Sequence, residues 1–315
     1  MKTLFIINPV AGNGNAMKKW NRFKETLDFP FEAMVTEYEG HAIPIVKSLH
    51  GQEQAYLVIG FGGDGTQREI TIGAAGASNL IIGSVAAGSG NDFGRGFHSF
   101  EDGIAISRFL EDPKVALEDL GEFKNGELHQ FVSSSGIGFD AEISETVNRS
   151  RLKKYLNRIG AGKLVYLMYV ILTLIRFEKF NLIVESDGDS RYYVDVWFAT
   201  VHNQAYFGGG MKISPQSKTD DGLLELTVVH GISRLKLLLV FGTVFSGTHT
   251  RFKEVAQFSS KEFKLATPGY SVHRHVDGDT IAKTTSNETV AYAVSSSKMA
   301  CNPEITLLEV FIKGS

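Results

Sequence analysis

The sequence predicts an α/β domain with a doubly wound parallel sheet, followed by a second domain built as an antiparallel β-sandwich. Up to about residue 117, apolar runs of strand length alternate with segments of helix length, which is typical of parallel βαβ units. Beyond that point, short strand patterns follow one another with few helices. A chain of 315 residues can form two cores. We place the α/β domain at 1–122 plus 296–315, and the β-rich domain at 123–295.

The α/β domain is expected to begin with four strands separated by helices. Each strand is a short apolar run closed by a turn, and helical spacing of apolar residues follows it. The expected strands are Thr3–Ile7, Phe31–Val35, Ala55–Gly60 and Leu80–Val85, and the expected helices are Ala16–Leu27, His41–Leu49 and one from Thr66.

The β-rich domain is expected to contain mainly strands joined by glycine and polar turns, arranged as a sandwich or barrel. We expect the last strand to return to the first domain, because chain termini often lie close together. The expected strands are Phe131–Ser135, Leu182–Ser186, Tyr192–Val201, Leu224–Val229, Phe258–Leu265, Ile281–Thr285, Val290–Val294 and Ile305–Ile312.

Composition limits the classes of partner. The formal net charge of -3 gives no global reason to expect a nucleic acid. A single cysteine, Cys301, cannot form an internal disulfide, which fits a reducing cytoplasm. No uninterrupted apolar run reaches the ~18 residues that span a bilayer. We therefore expect a cytoplasmic protein that is soluble or touches the inner face of the membrane, and a homodimer stays open.

One segment combines basic and apolar residues. Between Val147 and Phe177 there is no acidic residue, and the stretch 149–163 carries an amphipathic helical pattern with a basic side. An apolar helix, Leu164–Ile175, follows it. Such a segment suits peripheral contact with an anionic membrane, each Lys or Arg near the surface contributing about 1 kcal/mol. The alternative is a core helix with a solvated basic face.

Three polar turns containing glycine follow predicted strands, where ligands of doubly wound sheets bind. They are Asn8–Gly14, Gly62–Thr66 and Gly88–Asp92. A glycine backbone at a strand-to-helix junction can approach phosphate oxygens, and the first N–H groups of the helix point at them. Asp64 would repel a polyphosphate unless a cation bridges them or the carboxylate faces the reacting hydroxyl.

Each turn has an alternative explanation. Thr66 and Glu69 fit a capping box, but that leaves the glycines and Asp64 unexplained. Ser89 and Asn91 are good helix caps as well as candidate nucleotide contacts. The first turn lacks the lysine of a P-loop and the spacing of a dinucleotide fingerprint.

Two acidic turns stand out in the second domain. Asp277 and Asp279 flank a glycine, which is usual for a hairpin but also offers a carboxylate to accept a hydroxyl proton. At Asp221, one carboxylate and nearby backbone carbonyls could hold Mg²⁺. His273 and His275 alternate on one strand, where a metal pair is possible and ordinary strand histidines are more common.

Together these motifs closely resemble the diacylglycerol kinase catalytic family, in particular the bacterial soluble lipid kinases related to sphingosine and ceramide kinases. The hallmark Gly62–Thr66 is shared with NAD kinases and phosphofructokinases, whereas the ordered set is more specific. The set consists of Asn8–Gly12, Thr36–Ala42, Gly62–Thr66 with Glu69, Gly88–Phe93, Gly136–Ala141, Asn203 with Gly208–Met211, Asp221–Leu224 and Asp277–Asp279.

The resemblance implies a nucleotide-binding domain like that of NAD kinase and phosphofructokinase, together with a β-rich lipid domain. It also implies that ATP and Mg²⁺ phosphorylate a lipid hydroxyl, with diacylglycerol as the expected substrate and phosphatidic acid as the product. It assigns nucleotide binding to Asn8, Pro9, Gly12, Thr36, Gly62, Gly63, Asp64, Gly65, Thr66, Glu69, Ser89 and Asn91. It draws the catalytic acids from Asp64, Asp92, Asp277 and Asp279, with Asp277 as the first candidate for the proton acceptor. Structural Mg²⁺ would bind Asp221 and carbonyls near Lys218 and Leu223.

Three departures from the family pattern matter. Ser89 replaces threonine, Arg68 replaces a common asparagine, and Asp279 replaces glutamate, which shortens that side chain by one methylene. Two other functions stay open at this point. One is an NAD kinase-like phosphotransferase, against which the basic and apolar segment argues. The other is a regulator that binds nucleotide or lipid without turnover.

Overall fold

A computed structural model describes residues 1–88, 90–149 and 162–302. The chain forms two compact units. The first comprises Met1–Glu118 and the described residues from Ser297 onward, and the second comprises Asp119–Ser296. The first is a mixed α/β unit and the second is dominated by antiparallel strands, so the predicted fold class is confirmed.

The first unit is built on a six-stranded sheet. Its strands are β1 (Lys2–Ile7), β2 (Glu32–Val35), β3 (Tyr56–Gly62), β4 (Leu80–Ala86), β5 (Ala116–Glu118) and β17 (Met299–Cys301). They lie in the order β2-β1-β3-β4-β17-β5. Neighbours are parallel except for β5, which runs antiparallel to β17. Every residue of β3 is buried, as expected for a central parallel strand.

Five helices of the described part of this unit connect the strands. They are α1 (Ala16–Phe23, extended by a 3₁₀ turn over Lys24–Thr26), α2 (Ala42–Lys47), α3 (Asp64–Ala74), α4 (Asp92–Phe97) and α5 (Gly103–Glu111). A single helical turn, Ala11–Gly14, precedes α1. Trp20 of α1 packs against Phe5 and Phe61, which fixes this helix against the sheet beside the first turn.

The second unit contains an eleven-stranded antiparallel sheet. The strands are β6 (Gly121–Asn125), β7 (Glu127–Phe131), β8 (Ser134–Gly138), β9 (Phe180–Ser186), β10 (Asp189–His202), β11 (Leu224–His230), β12 (Val255–Ser260), β13 (Glu262–Ala266), β14 (His273–Val276), β15 (Asp279–Lys283) and β16 (Thr289–Val294). Nine of them follow the order β15-β14-β8-β10-β9-β13-β16-β6-β7, and β11 joins β10 to β12. The core includes the fully buried side chains of Trp197, Phe263 and Tyr292.

The described helices of the second unit are α6 (Phe139–Arg149), α7 (Gly162–Arg176) and α8 (Arg234–Phe241), with 3₁₀ turns at Gly242–Ser246 and Thr248–Arg251. Within the described ranges, none of the helices has the length and apolar character needed to cross a bilayer. The predicted amphipathic pattern over 149–163 lies mostly outside the described residues.

Several predicted strand bounds are wrong. Phe258–Leu265 is a hairpin of β12 and β13, because alternation of side chains continues through the turn at Lys261. Phe131–Ser135 is interrupted between β7 and β8. The strands β5, β6 and β17 are three to five residues long, which is too short for a strand pattern to stand out in the sequence. The expected final strand, Ile305–Ile312, lies outside the described residues.

Candidate functional site

The three predicted turns meet at the carboxyl ends of β1, β3 and β4. The backbone N–H of Asn8 donates to the carbonyl of Phe61 at 3.1 Å, and that of Ala87 donates to Gly62 at 2.9 Å. Gly12 has φ +58°, and a methyl group added there would lie 2.5 Å from the carbonyl oxygen of Ala87. The approach of these backbones therefore requires glycine.

The second and third turns touch through their glycines. A methyl group added to Gly88 would overlap the Cα of Gly63 and lie 3.1 Å from its nitrogen. The Asn91 side chain closes the third turn, since its amide donates to the Gly88 carbonyl and its Oδ1 accepts from the Gly88 N–H, both at 3.1 Å. Asn91 is held in the left-handed region at φ 56°. Ser89, the predicted hydroxyl contact, lies outside the described residues.

Asp64 links the two turns as the first residue of α3. Its Oδ1 accepts from the backbone N–H of Phe93 in α4 at 2.9 Å. Burial, and to a lesser extent the charge of Asp92, raises the pKa of the Asp64 carboxyl, while backbone N–H groups of the third turn oppose that shift. Asp92 itself is buried and pairs with Arg95 at 2.8 Å. Two carboxylates thus adjoin the glycine backbone.

The capping box at Thr66 is wrong, because α3 begins at Asp64 and Gly63 is its N-cap. Thr66 is buried, and its Oγ1 accepts from the Asn8 side-chain amide at 3.0 Å. The Glu69 carboxylate accepts from the backbone N–H groups of Gly40 and Ala42, at 2.9 and 3.1 Å. Both side chains tie neighbouring segments to the glycine turn.

The remaining predicted nucleotide contacts lie on the same edge of the sheet. Thr36 follows β2, is buried, and donates its backbone N–H to Ile7 at 2.9 Å. Pro9 lies in the first turn, where Asn8 Oδ1 accepts from the Val10 N–H at 3.1 Å. A methyl group on Gly65 would meet no protein atom within 4 Å. Packing therefore gives no reason for glycine at that position.

Asp277 of the second unit clamps a backbone loop. Its carboxylate accepts from three backbone N–H groups, those of Val132 at 3.0 Å, Ser133 at 2.7 Å and Ser134 at 3.0 Å. Its own backbone is in the left-handed region at φ 49°. These three hydrogen bonds hold the carboxylate against the backbone and occupy most of its acceptor positions. Asp279, exposed at the start of β15, ends the same turn.

A buried polar network supports this turn. His275 Nε2 lies 3.0 Å from Asp140 Oδ2, and the Thr200 hydroxyl donates to the same oxygen at 2.5 Å. The Gly278 N–H is 3.4 Å from His275 Nδ1, so a proton on Nε2 satisfies both contacts. The His275 ring stacks on Phe207 at 5.0 Å between centroids. This network connects the start of α6 to the acidic turn.

The two strand histidines contact different carboxylates. His273 Nε2 lies 3.4 Å from Glu142, whereas His275 contacts Asp140. Across the described ranges, no group of three or more His, Cys, Asp or Glu side chains could hold a metal ion. Each histidine thus has its own carboxylate partner, as an ordinary strand histidine would.

His202 lies fully buried near this network. Neither of its ring nitrogens has a hydrogen-bond partner within the described part of the chain. Burial lowers the pKa of His202 to about 3, with Asp140 opposing and His275 and His249 reinforcing that shift. His202 is therefore neutral in the folded protein at neutral pH.

Acidification is expected to destabilise the protein through His202. The unfolded chain takes up this proton near the ordinary pKa of 6.5 and the folded chain does so only near 3. Stability is therefore lost as the pH falls between these values, by about 2 kcal/mol from pH 6.5 to 4.5. Urea unfolding of His202→Leu at pH 6.5 and pH 4.5 should show a loss of unfolding free energy that is smaller by about 2 kcal/mol. The same loss as in the unmodified protein would show that other groups are responsible.

The loop around Asp221 is acidic and partly unsatisfied. Asp221 Oδ1 accepts from the Leu223 N–H at 3.0 Å, and Asp119 Oδ2 accepts from the Gly222 N–H at 2.8 Å. Glu225 is buried, and its Oε2 has no hydrogen-bond partner among the residues described. Burial raises the pKa of the Glu225 carboxyl, with Asp221 adding to that shift and hydrogen bonds from Ser217 and Ser259 opposing it. This chemistry fits a hard cation.

A cavity of about 360 Å³ opens in the second unit between α6, α7 and the beginning of β14. Its walls combine apolar and charged side chains, including Tyr169, Leu172, Phe177, Glu142, Arg176 and His273. The size and mixed lining fit a small amphiphilic ligand.

Sequence reasoning missed three contributors to these sites. Asp140 and Asp119 were not among the predicted site residues, and His275 was considered only for a metal pair. Asp140 lies in the motif Gly136–Ala141, and its placement directly after a glycine-rich strand was the available indication. The partners of Asp119 and His275 are distant in sequence, so no local pattern could have revealed them.

Comparisons with known proteins agree with this architecture. Residues 2–122 match the family model of the diacylglycerol kinase catalytic domain, and residues 133–295 match the YegS C-terminal NAD kinase beta sandwich-like domain. The chain is 28% identical over 290 residues to "Putative lipid kinase YtlR" of Bacillus subtilis, covering 89% of this chain and 94% of that protein. It is 25% identical over 293 residues to "Diacylglycerol kinase" of Mycobacterium tuberculosis, covering 88% of each.

Solved structures share the fold. A diacylglycerol kinase structure from Bacillus anthracis superposes with a TM-score of 0.67 at 18% identity, covering 97% of this chain and 98% of the other. Yeast NADH kinase superposes with a TM-score of 0.54 at 10% identity, covering 100% of this chain and 86% of the other. The YegS C-terminal NAD kinase beta sandwich-like model spans more than half of the chain, and the diacylglycerol kinase catalytic model matches residues 2–122. The chain therefore belongs to the family of lipid kinases that combine these two domains, and it is a phosphotransferase.

Proposed function

We propose that the protein transfers the γ-phosphate of ATP to the hydroxyl of a membrane lipid, with diacylglycerol as substrate and phosphatidic acid as product. The observation that carries the proposal is the bare glycine backbone at Gly62–Thr66, which adjoins two further turns and two carboxylates. The family match supports a kinase and the use of ATP. The lipid kinase name of one relative and the diacylglycerol kinase name of another support the substrate class.

The nucleotide phosphates are proposed to bind over Gly63 and Gly65. Helix α3 directs its first backbone N–H groups to this place, and a helix N-terminus favours anions. The partly buried Asp64 and the buried Asp92 fit a divalent cation, because two adjacent carboxylates beside a polyphosphate need a positive charge. Mg²⁺, when bound, would neutralise phosphate charge. Asn8, Thr36, Thr66 and Glu69 would hold the surrounding backbone in position.

Asp279 is proposed as the proton acceptor for the lipid hydroxyl, with Asp277 as the positioning residue. This reverses the order that the sequence favoured. The Asp277 carboxylate accepts hydrogen bonds from three backbone N–H groups, whereas Asp279 is exposed at the end of the turn. A base must reach the proton that it accepts, and an exposed carboxylate meets that condition better.

The lipid is proposed to enter the cavity between α6, α7 and β14. Apolar walls such as Leu172 and Phe177 would hold part of an acyl chain, and the exposed Arg176 in the lining suits a polar head group. Peripheral association with the inner face of the membrane, with the chain otherwise cytoplasmic, follows from this proposal. The basic segment 149–163 is one proposed membrane contact, and a homodimer stays a prediction.

Structural Mg²⁺ is proposed at Asp221, with carbonyls near Lys218 and Leu223 and with Glu225 nearby. Binding to the folded state alone would stabilise the protein by about 3 kcal/mol when free Mg²⁺ is ~100-fold above its Kd. Asp221→Asn should abolish this gain in urea unfolding with and without EDTA. Asp220→Asn, an exposed neighbour, is the matched control and should keep it. Equal Mg²⁺ gains in both variants would place the ion elsewhere.

Phosphate transfer is tested with γ-labelled ATP and Mg²⁺. The acceptor panel consists of vesicles or micelles containing diacylglycerol, ceramide or sphingosine, and NAD in solution. We expect label in phosphatidic acid. Label in NAD with none in a lipid would overturn the proposal in favour of an NAD kinase-like activity, and label in another lipid alone would overturn the substrate assignment.

A further inference from the structure

The outward face of α8 exposes large apolar side chains. Leu235 is 72% exposed, Leu239 71% and Leu238 40%, and Phe245 of the following 3₁₀ turn is 58% exposed. The helical residues are spaced three and four apart, so they lie on one face of the helix. The helix therefore presents an apolar surface to solvent, which we call the α8 face (Leu235, Leu238, Leu239 and Phe245).

Folding of the unit does not use the α8 face. The opposite side of the same segment supplies the core, where Leu237, Val240 and Val244 are each at most 7% exposed. A helix that is apolar on both sides is normally buried on both sides. Contiguous exposed apolar side chains usually mark a binding surface. The apolar character of the α8 face is therefore not explained by packing within the unit.

The sequence segment that carries the α8 face is basic up to Lys253, and Glu254 follows it. From Gly231 to Lys253 the sequence contains no Asp or Glu. The same stretch contains four cations, Arg234, Lys236, Arg251 and Lys253. Lys236 flanks the apolar face and pairs with Glu254 at 2.6 Å. An apolar surface flanked by basic residues is complementary to an anionic interface with an apolar interior.

The surface continues toward a second helix. The Arg234 guanidinium donates to the backbone carbonyls of Leu174 at 3.0 Å and Phe177 at 3.1 Å, which joins the beginning of α8 to the end of α7. Ile175 follows Leu174 in the chain and is 62% exposed. Leu235 follows Arg234 and is 72% exposed, so an exposed apolar side chain lies on each side of this contact. Helix α7 also lines the cavity proposed for the lipid. Docking through these helices would bring the bilayer to the proposed lipid site.

We propose that the α8 face is the surface on which the protein docks to an anionic phospholipid membrane. The proposal deepens, and rests on, the proposed lipid kinase activity. A second copy of the chain fits less well, because a two-fold interface would set the same basic residues against each other. An anionic bilayer satisfies both the apolar face and its basic margin.

Vesicle flotation tests the proposal without ATP. Vesicles of phosphatidylcholine with phosphatidylglycerol are compared with vesicles of phosphatidylcholine alone. The double variant Leu235→Gln/Leu239→Gln should lower the partition coefficient on anionic vesicles by about tenfold or more, because two inserted leucines are lost. The matched control is Ile104→Gln/Leu117→Gln, which alters two side chains that are 59% and 62% exposed in the first unit. It should bind like the unmodified protein.

Three further measurements decide between outcomes. Equal unfolding curves show that the variants fold. Unchanged vesicle binding of the α8 double variant would overturn the proposal, as would sedimentation showing that this variant dissociates a dimer. Activity on short-chain diacylglycerol in detergent micelles should be retained in both double variants. If the unmodified protein shows no activity on diacylglycerol in micelles, the proposed kinase substrate is refuted, whatever the result of vesicle binding.

Discussion

Asp279→Asn is expected to lower kcat by about 10²- to 10⁴-fold and to leave the unfolding free energy within ~0.5 kcal/mol of the unmodified protein. The amide cannot accept the hydroxyl proton in the transition state. The fold should tolerate it because Asp279 is exposed at the start of β15. Single-turnover phosphorylation of diacylglycerol measures the rate, and urea unfolding measures the stability.

Asp277→Asn provides the contrast. In the variant, the side-chain NH₂ would face at least one of the three backbone N–H groups that now donate hydrogen bonds to the carboxylate. Leaving such donors unsatisfied costs about 1–3 kcal/mol of stability. We expect lower stability together with lower activity. If Asp279→Asn keeps the full rate while Asp277→Asn loses activity with unchanged stability, then Asp277 is the proton acceptor and our assignment is wrong.

Gly88→Ala is expected to reduce the unfolding free energy by about 2–4 kcal/mol and to abolish ATP binding. The atoms that the new methyl group would overlap belong to a backbone, which cannot move aside as a flexible side chain can. The added methyl group would overlap Gly63, so the second and third turns would separate. Urea unfolding and calorimetric titration with ATP measure the two effects.

Gly242→Ala is the matched control for Gly88→Ala. A methyl group there meets no atom within 4 Å, and Gly242 has an ordinary helical φ of -60°. We expect its stability and ATP affinity to match those of the unmodified protein. A Gly88→Ala protein with unchanged stability would mean that the two glycine backbones do not pack as closely as described.

The elements that position the first site were predictable because their causes are local. The strand β3 is an uninterrupted apolar run, and glycine turns after parallel strands meet at one edge of a sheet. This was enough to bring Asn8, Gly63 and Gly88 together. The start of α3 was misplaced by two residues, because Thr66 and Glu69 imitate a cap while their actual partners lie elsewhere in the chain.

The second site was less predictable because its contacts join distant segments. His275 and Asp140 are separated by 135 positions, and Asp277 bonds to residues 143 to 145 positions away. The acidic turn was visible in the sequence, but the backbone donors around Asp277 were not. Likewise, helical spacing in α8 shows two apolar faces without saying which one the sheet covers.

The central claim is that phosphates occupy the space above Gly65. Gly65→Ala tests it most directly, because the added methyl group meets no protein atom within 4 Å and the residue lies in the first turn of α3. Alanine should raise the unfolding free energy by up to about 1 kcal/mol, since glycine is the poorer helix former.

The decisive measurement is the Kd for ATP in the presence of Mg²⁺, determined by calorimetric titration of Gly65→Ala and the unmodified protein. We predict that the Kd rises by about tenfold or more, a loss of roughly 1.4 kcal/mol, in a protein that is as stable as before or more so. An unchanged Kd would contradict the account, because it would place the phosphates away from this turn.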